Sequence, residues 1–201
     1  MNILLLATTN KGKLAELKSL LQNCPFELSD LELIKTNLSI KESGGSYFEN
    51  ACLKALAYAR YSSFITLADD SGLEVDALSG APGIFSARYS PLKNASDADR
   101  RSYLLDKLKH FPRPWNSHFH CAVAIALPSS DVFIREGICY GEIIPQQKGD
   151  FGFGYDPIFF IPEVQKTMAE LTLEQKNKIS HRSKAIENVL PILYNLYTKN
   201  T

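Results

Sequence analysis

Asn2 to Ala7 is an apolar segment that ends in the turn-forming residues Thr8-Thr9-Asn10, and Lys11 to Gln22 follows with Leu14, Leu17 and Leu21 at helical spacing. A short apolar run bounded by turn formers reads as a strand buried on both faces. A strand that passes through a polar loop into an amphipathic helix is the unit from which α/β sheets are built. The unit recurs. Ser46 to Tyr61 carries Phe48, Ala51, Cys52, Ala55, Leu56 and Ala59 on one face and opens with Ser46 and Glu49 in the pattern of a capping box. Phe64 to Ala68 then reads as a strand running into Asp69-Asp70-Ser71-Gly72. Gly80 to Gly83 is a turn, and Ser96 to Lys109 is a helix with Ser96 as its cap and Leu104, Leu105 and Leu108 inward. His118 to Leu127 and Val132 to Ile144, separated by Pro128 to Asp131, read as an antiparallel pair. Gln146 to Tyr155 reads as a loop with three glycines and Pro157 to Ile161 as a short strand. The last helix spans His181 to Tyr197, with Ile186, Val189, Leu190, Leu193 and Tyr197 on one side and Pro191 expected to kink or shorten it. Strands interleaved with helices, plus one hairpin, predict an α/β fold on a mixed sheet, in a single domain over 1–201.

Composition removes several alternatives. The chain has 201 residues, 22 Lys+Arg against 22 Asp+Glu, no net charge, and 45% hydrophobic residues. A disordered tail is apolar-poor and charged with one sign, and a nucleic-acid module held by its overall field is basic, so neither is expected. Cys24, Cys52, Cys121 and Cys139 form no CxxC pair and read as buried thiols rather than zinc ligands or a disulfide framework. The five-residue apolar run near the start is too short for a signal-peptide core, and no run approaches the roughly 20 residues of a membrane span, so a cytoplasmic location without membrane contact is expected. There is no GxxxxGK[ST] phosphate loop and no GxSxG elbow. His118 and His120 share a strand face, with no third metal ligand apparent.

Local preference is broken in two places. A helix N-terminus carries about half a positive charge and favours acidic residues. Yet Lys11 and Lys13 open the first helix, and His181, Arg182 and Lys184 open the last, within a stretch from Lys176 to Lys184 that holds no acidic residue. Cations on a positive dipole make sense when an anion lies between them, so both helix starts are candidate phosphate grips; solvated surface charge is the plain alternative. Asp69 and Asp70 follow the apolar run, and strand alternation turns only one of them toward a site while the other caps or braces the turn. Glu42 lies in the loop before the capped helix. Two carboxylates with phosphate oxygens are the usual set for Mg2+, although Glu42 also reads as an ordinary loop acid and Glu49 is accounted for by the cap. Gly152-Phe153-Gly154-Tyr155-Asp156-Pro157 allows close backbone approach and offers a ring on which a base stacks, or else an aromatic that packs on the core.

Read together, Thr8-Thr9-Asn10-Lys11-Gly12-Lys13, Glu42-Ser43-Gly44, Phe48-Glu49-Asn50-Ala51, Ala68-Asp69-Asp70-Ser71-Gly72-Leu73, Gly80 to Tyr89, Gly152 to Pro157 and Ser180-His181-Arg182 resemble, in this order, the inosine triphosphate pyrophosphatase family. The resemblance spans nearly the whole chain. It implies a homodimer of elongated subunits, each a mixed β-sheet flanked by helices in two lobes with a substrate cleft between them. It also implies Mg2+-dependent hydrolysis of noncanonical purine nucleoside triphosphates (ITP, dITP and XTP) to the monophosphate and pyrophosphate. Under it, Thr8, Thr9, Asn10, Lys11, Gly12, Lys13 and Lys54 hold the triphosphate, Glu42 and Asp70 bind metal, and Asp70 activates water with Ser71 beside it. Phe153, Gly154, Tyr155 and Asp156 cover base and sugar, with Lys176, His181 and Arg182 closing on base and phosphates. Arg182 or backbone N–H groups are the expected donors to the purine 6-oxo group. Thr9 stands where the family often has Gly, and Ser90 to Asn94 departs from the usual acidic segment. Two other readings stay open: a Maf-type pyrophosphatase, which shares the early Thr-Asn-Lys pattern but not the late Ser-His-Arg, and a nucleotide-binding protein without catalysis.

Overall fold

The computed structural model describes residues 2–36 and 38–199. Its strands are β1 (Ile3–Leu6), β2 (Glu27–Asp30), β3 (Ile65–Val75), β4 (Trp115–Ala126), β5 (Val132–Ile143), β6 (Phe159–Ile161) and β7 (Lys166–Thr167). The helices are α1 (Lys11–Leu20), α2 (Tyr47–Ser62), α3 (Asp97–Leu108), α4 (Leu173–Lys176) and α5 (His181–Lys199), with short 3-10 turns at Asp76–Leu78, Gly83–Arg88, Asp156–Ile158 and Met168–Glu170. The strands form one seven-stranded sheet in the order β2-β1-β3-β4-β5-β6-β7. β1 runs parallel to β2, with Ile3 beside Glu27, and parallel to β3, with Leu4 beside Ile65. β6 is antiparallel to β5 and to β7. The mixed α/β sheet expected from the alternation of patterns is the one found.

By contacts the chain divides into two compact units. The first comprises Met1–Asp70, Cys121–Gly137 and His181–Thr201, and the second Ser71–His120 and Ile138–Ser180. Each has its own core. In the first unit Leu4 and Leu6 of β1, Leu17 and Leu21 at α1, Leu67 of β3 and Val123 and Ile125 of β4 pack with Ile186, Val189 and Leu193 of α5. In the second unit Leu73, Val75, Leu104, Leu108, Trp115, Phe159 and Met168 do the same.

Within the first unit the chain leaves β1, returns through α1 to β2 on one side, then crosses by α2 to β3 on the other side of β1. The two connections leave β1 to opposite sides, so the loop that follows β1 lies at a topological switch point, the place where open α/β sheets take ligands.

Four differences from the sequence expectations have physical causes. β2 was not expected, because its Glu-Leu-Ser-Asp sequence is polar; it survives as an edge strand paired only to β1. β3 does not end before the acidic pair but continues to Val75, so Asp69 and Asp70 lie in mid-strand and neither serves a turn. α2 presents Tyr47, Asn50, Ala51, Ala55, Tyr58 and Ala59 inward, while Phe48 is exposed. Its capping box is half formed: Ser46 accepts from the Glu49 N–H, but the Glu49 carboxylate accepts from Gly45 N–H at 2.5 Å. α5 is not shortened by Pro191, which lies on the exposed side, where the carbonyl that loses its partner is open to solvent.

Candidate functional site

In the first unit the loop after β1 turns on its own side chains. Thr8 Oγ1 accepts from Asn10 N–H at 3.2 Å, and Asn10 caps α1 by accepting from Lys13 N–H at 3.0 Å. Thr9, Asn10 and Lys11 are exposed and Gly12 half-buried, and α1 has no acidic residue in its first turn. The unsatisfied N–H groups of this helix start therefore keep their positive potential for an incoming anion.

Beside this loop, β3 turns its two carboxylates to opposite faces. On one side Lys54 of α2 places its ammonium 2.6 Å from Glu42 Oε1 and 3.7 Å from Asp70 Oδ1. Asn50, one helical turn earlier and fully buried, donates from Nδ2 to Asp70 Oδ2 at 3.0 Å and accepts from Gly44 N–H at 2.9 Å. One amide thus ties the loop carrying Glu42 to the carboxylate of Asp70 and leaves Asp70 Oδ1 facing the cation. Burial pushes the Asp70 carboxyl up, further than Lys54, Lys13 and the Asn50 hydrogen bond bring it down, and Glu42 adds to the rise. Its proton affinity is thereby raised toward that of a general base. Lys54 moves up as well: burial alone would lower it, but Asp69, Asp70 and Glu42 prevail and keep it charged.

On the other side Asp69, 1% exposed, receives Lys13 at 3.1 Å and both Nε and Nη2 of Arg182 at 3.1 Å. Arg182 Nη1 is paired with Glu16 of α1. Burial works to raise Asp69, but Lys13, Arg182 and Lys54 outweigh it and hold the carboxyl far below the usual range. Arg182 is thus buried between two carboxylates, and Asp69 is one anion that answers the cations at the start of α5. The positions follow from α5 lying close on β5: a Cβ on Gly137 would stand 2.3 Å from the His181 carbonyl and 2.5 Å from Ala185 N. His181 is buried too.

The run from Lys176 to Lys184 is therefore not one basic face. Lys178 pairs with Glu174 at the surface, and Lys176, in the second unit, is buried with its ammonium 2.5 Å from Asp156 Oδ2. Asp156 also accepts from Phe153 N–H at 2.9 Å, and the Lys176 ammonium lies 4.9 Å from the centroid of the Phe153 ring. The pair pins a half-buried aromatic in a loop whose Gly152 has no room for a Cβ, which would meet Asp156 Oδ2 at 2.1 Å. Tyr155 turns inward and donates to the Ser86 carbonyl at 2.9 Å. Ser71 follows Asp70 in β3 and is half-buried.

The structure thus assembles Thr8 to Lys13, Glu42, Lys54 and Asp70 in one unit, and Phe153 to Asp156 with Lys176 in the other. It adds Glu16, which sequence reasoning passed over, gives Asn50 a contact within its motif, and makes Asp69 the bracing member of the acidic pair. Asn50 had a signal: a polar residue four before Lys54 on the inward face of an amphipathic helix. Glu16 had none short of the tertiary contact. Among the described residues no group of three His, Cys, Asp or Glu is arranged to hold a metal. Glu74 stands 3.4 Å from His118 and 3.7 Å from His120, at salt-bridge rather than ligand spacing. Glu42 and Asp70 do fit a hard divalent cation: both carboxylates already face a single positive charge, and such an ion takes its other oxygens from water and ligand phosphates.

Fold and site together define a mixed-sheet α/β protein with a carboxylate–lysine cluster at its switch point, next to an anion-ready helix start. The chain belongs to the Ham1 family, whose family model matches residues 4–192. A protein of Desulforamulus reducens called dITP/XTP pyrophosphatase is 44% identical over 195 residues, covering 96% of each chain. One of the same name from Nostoc sp. is 46% identical over 190 residues, covering 94% of this chain and 93% of that one. Among solved structures, a HAM1 protein from Coxiella burnetii matches with a TM-score of 0.87 at 38% identity, covering 97% of this chain and 100% of the other. The Ham1 protein of Staphylococcus aureus matches with a TM-score of 0.84 at 37% identity, covering 96% and 98%. The family expected from the order of the motifs is the family found.

Proposed function

We propose that this protein hydrolyses noncanonical purine nucleoside triphosphates, dITP, XTP and ITP, to the monophosphate and pyrophosphate in the presence of Mg2+. What carries the reading is the Glu42–Lys54–Asp70 cluster beside the open start of α1, and the names of the relatives agree with it. Thr8 to Lys13 and Lys54 receive the triphosphate, with helix N–H groups and ammonium groups converging on its oxygens. Glu42 and Asp70 would hold Mg2+, which when bound would supply charge neutralisation for the leaving pyrophosphate. Asp70, its Oδ2 oriented by Asn50, takes the proton from water attacking the α-phosphorus. Ser71 stands next to it, and no covalent nucleophile is needed.

Phe153 to Asp156 cover base and sugar, with Lys176, His181 and Arg182 closing on base and phosphates. Arg182 or backbone N–H groups are the donors to the purine 6-oxo group; adenine's amino group would face those same donors unpaired. Two further parts complete the reading: a homodimer, which the family resemblance implies, and a reducing cytoplasm, in which the free thiols of all four cysteines are at home. No helix among the described residues is long and apolar enough to cross a membrane.

Pyrophosphate release measured in parallel from ITP, dITP, XTP, ATP, GTP and dUTP, with and without Mg2+, tests the proposal. Preference for ITP, dITP and XTP is expected; equal rates on ATP and ITP, or release of single phosphate, would sink it.

A further inference from the structure

The loop that carries Phe153 has Gly149, Gly152 and Gly154 at φ of +82°, +76° and +61°. Such a backbone has much conformational freedom to lose, and a ring mounted on it meets a ligand well only if something else orders the loop. At Gly154 packing does not: a Cβ there would find nothing within 4 Å. Two side chains from α3 do. Asp97 Oδ2 accepts from Gly154 N–H at 2.8 Å, and Arg101 Nη1 donates to the Gly154 carbonyl at 2.7 Å. Arg101 Nε also donates to Gln147 Oε1 at 2.9 Å, which ties down the stretch ahead of the loop.

Asp97 and Arg101 are four residues apart, so one face of α3 grips the residue next to Phe153 by both its polar groups. The Asp97 carboxylate is not needed to start the helix, because Ser96 and Asp99 already form a complete capping box. It also pairs with Arg100, which fixes its orientation. On the amino side of Phe153, Asp156 accepts from the Phe153 N–H and Lys176 holds Asp156. The backbone that carries the ring is therefore held on both sides of it.

We infer that Asp97 and Arg101 are positioning residues, which order the Phe153 loop before the ligand arrives and so set how tightly the base is held. The inference rests on the proposed role of Phe153 in covering the base. It separates two parts of the substrate: the triphosphate, taken by the first unit's cluster, should be indifferent to these side chains, and the base should not.

The test combines hydrogen–deuterium exchange of the free protein with kinetics on dITP and inhibition by inorganic tripolyphosphate, which has no base. Replacing both residues by Ala should speed exchange over residues 151–155 by about tenfold or more and raise KM for dITP about tenfold, because the ligand must then order the loop at its own expense. kcat and the tripolyphosphate inhibition constant should stay within about twofold, since neither involves the base. Asp97→Asn and Arg101→Lys, which keep an acceptor and a donor in place, should each bring KM back toward the original value. Unaltered exchange, an unaltered KM, or a fall in kcat with a parallel weakening of tripolyphosphate would overturn the inference. Absence of pyrophosphate release by the unaltered protein would count against the proposed function instead, and the exchange result, which needs no substrate, would still decide the bracketing.

Discussion

Asp69 and Asp70 are neighbours in one strand with opposite tasks, set by what each face of the strand meets. Asp69 is enclosed by Lys13 and Arg182 and stays ionised, while Asp70 faces a half-open cluster and gains proton affinity. Asp70→Asn should retain ITP binding, measured by calorimetry, yet hydrolyse it at least about a hundredfold more slowly, the scale of a lost general base; near-normal turnover would refute the role. Arg182→Met leaves the buried Asp69 and Glu16 short of their main partner and should cost about 3–5 kcal/mol in urea unfolding. A loss below about 1 kcal/mol would mean that Lys13 alone satisfies Asp69.

Elements carry these residues only because their backbones approach closely where side chains are small. At Gly137, β5 meets the first turns of α5 with no room for a methyl group. Gly137→Ala should therefore push α5 outward or strain β5, at about 1–3 kcal/mol of stability. Turnover should fall with it, since His181 and Arg182 sit in the displaced turn; an equally stable and active variant would show that α5 is seated by its apolar face alone. The long, patterned elements α2, α3, β4 and β5 were legible in the sequence to within a few residues because burial and periodicity agree there. β2 was not, because an edge strand needs only hydrogen bonds on one side and shows no apolar pattern.

At the scale of the molecule, stability should depend on acid in a definite sense. Asp69 is held below its unfolded value of about 3.9, so its contribution is whole above that pH and is lost as pH falls toward the folded value. Asp70 is shifted the other way, so its charged form is penalised by folding and it takes stability away as pH rises through its titration. Urea midpoints should rise slightly as pH falls toward about 4, where Asp70 takes up its proton in the folded state, and then decline as Asp69 is protonated. The Asp70→Asn variant should lose the rise and keep the decline. A midpoint that does not decline below about 4 would remove Asp69 as its cause, and an unaltered rise in the variant would place that part elsewhere.

The sequence by itself determined the α/β class, the family, and the chemistry available: cations at two helix starts, a carboxylate pair, and a glycine-flanked aromatic. These are written in periodicity and in motif order, which are local. Which charge answers which was decided only by the tertiary structure. Arg182 and Asp69 are 113 residues apart, Arg182 and Glu16 166 apart, and pairing over such separations depends on how β3, α1 and α5 close around one core. Hence the cations of the late basic stretch are divided among Asp156, Glu174, Asp69 and Glu16. A buried cation must find its anion within a few ångströms, and no spacing along the chain says where that anion will be.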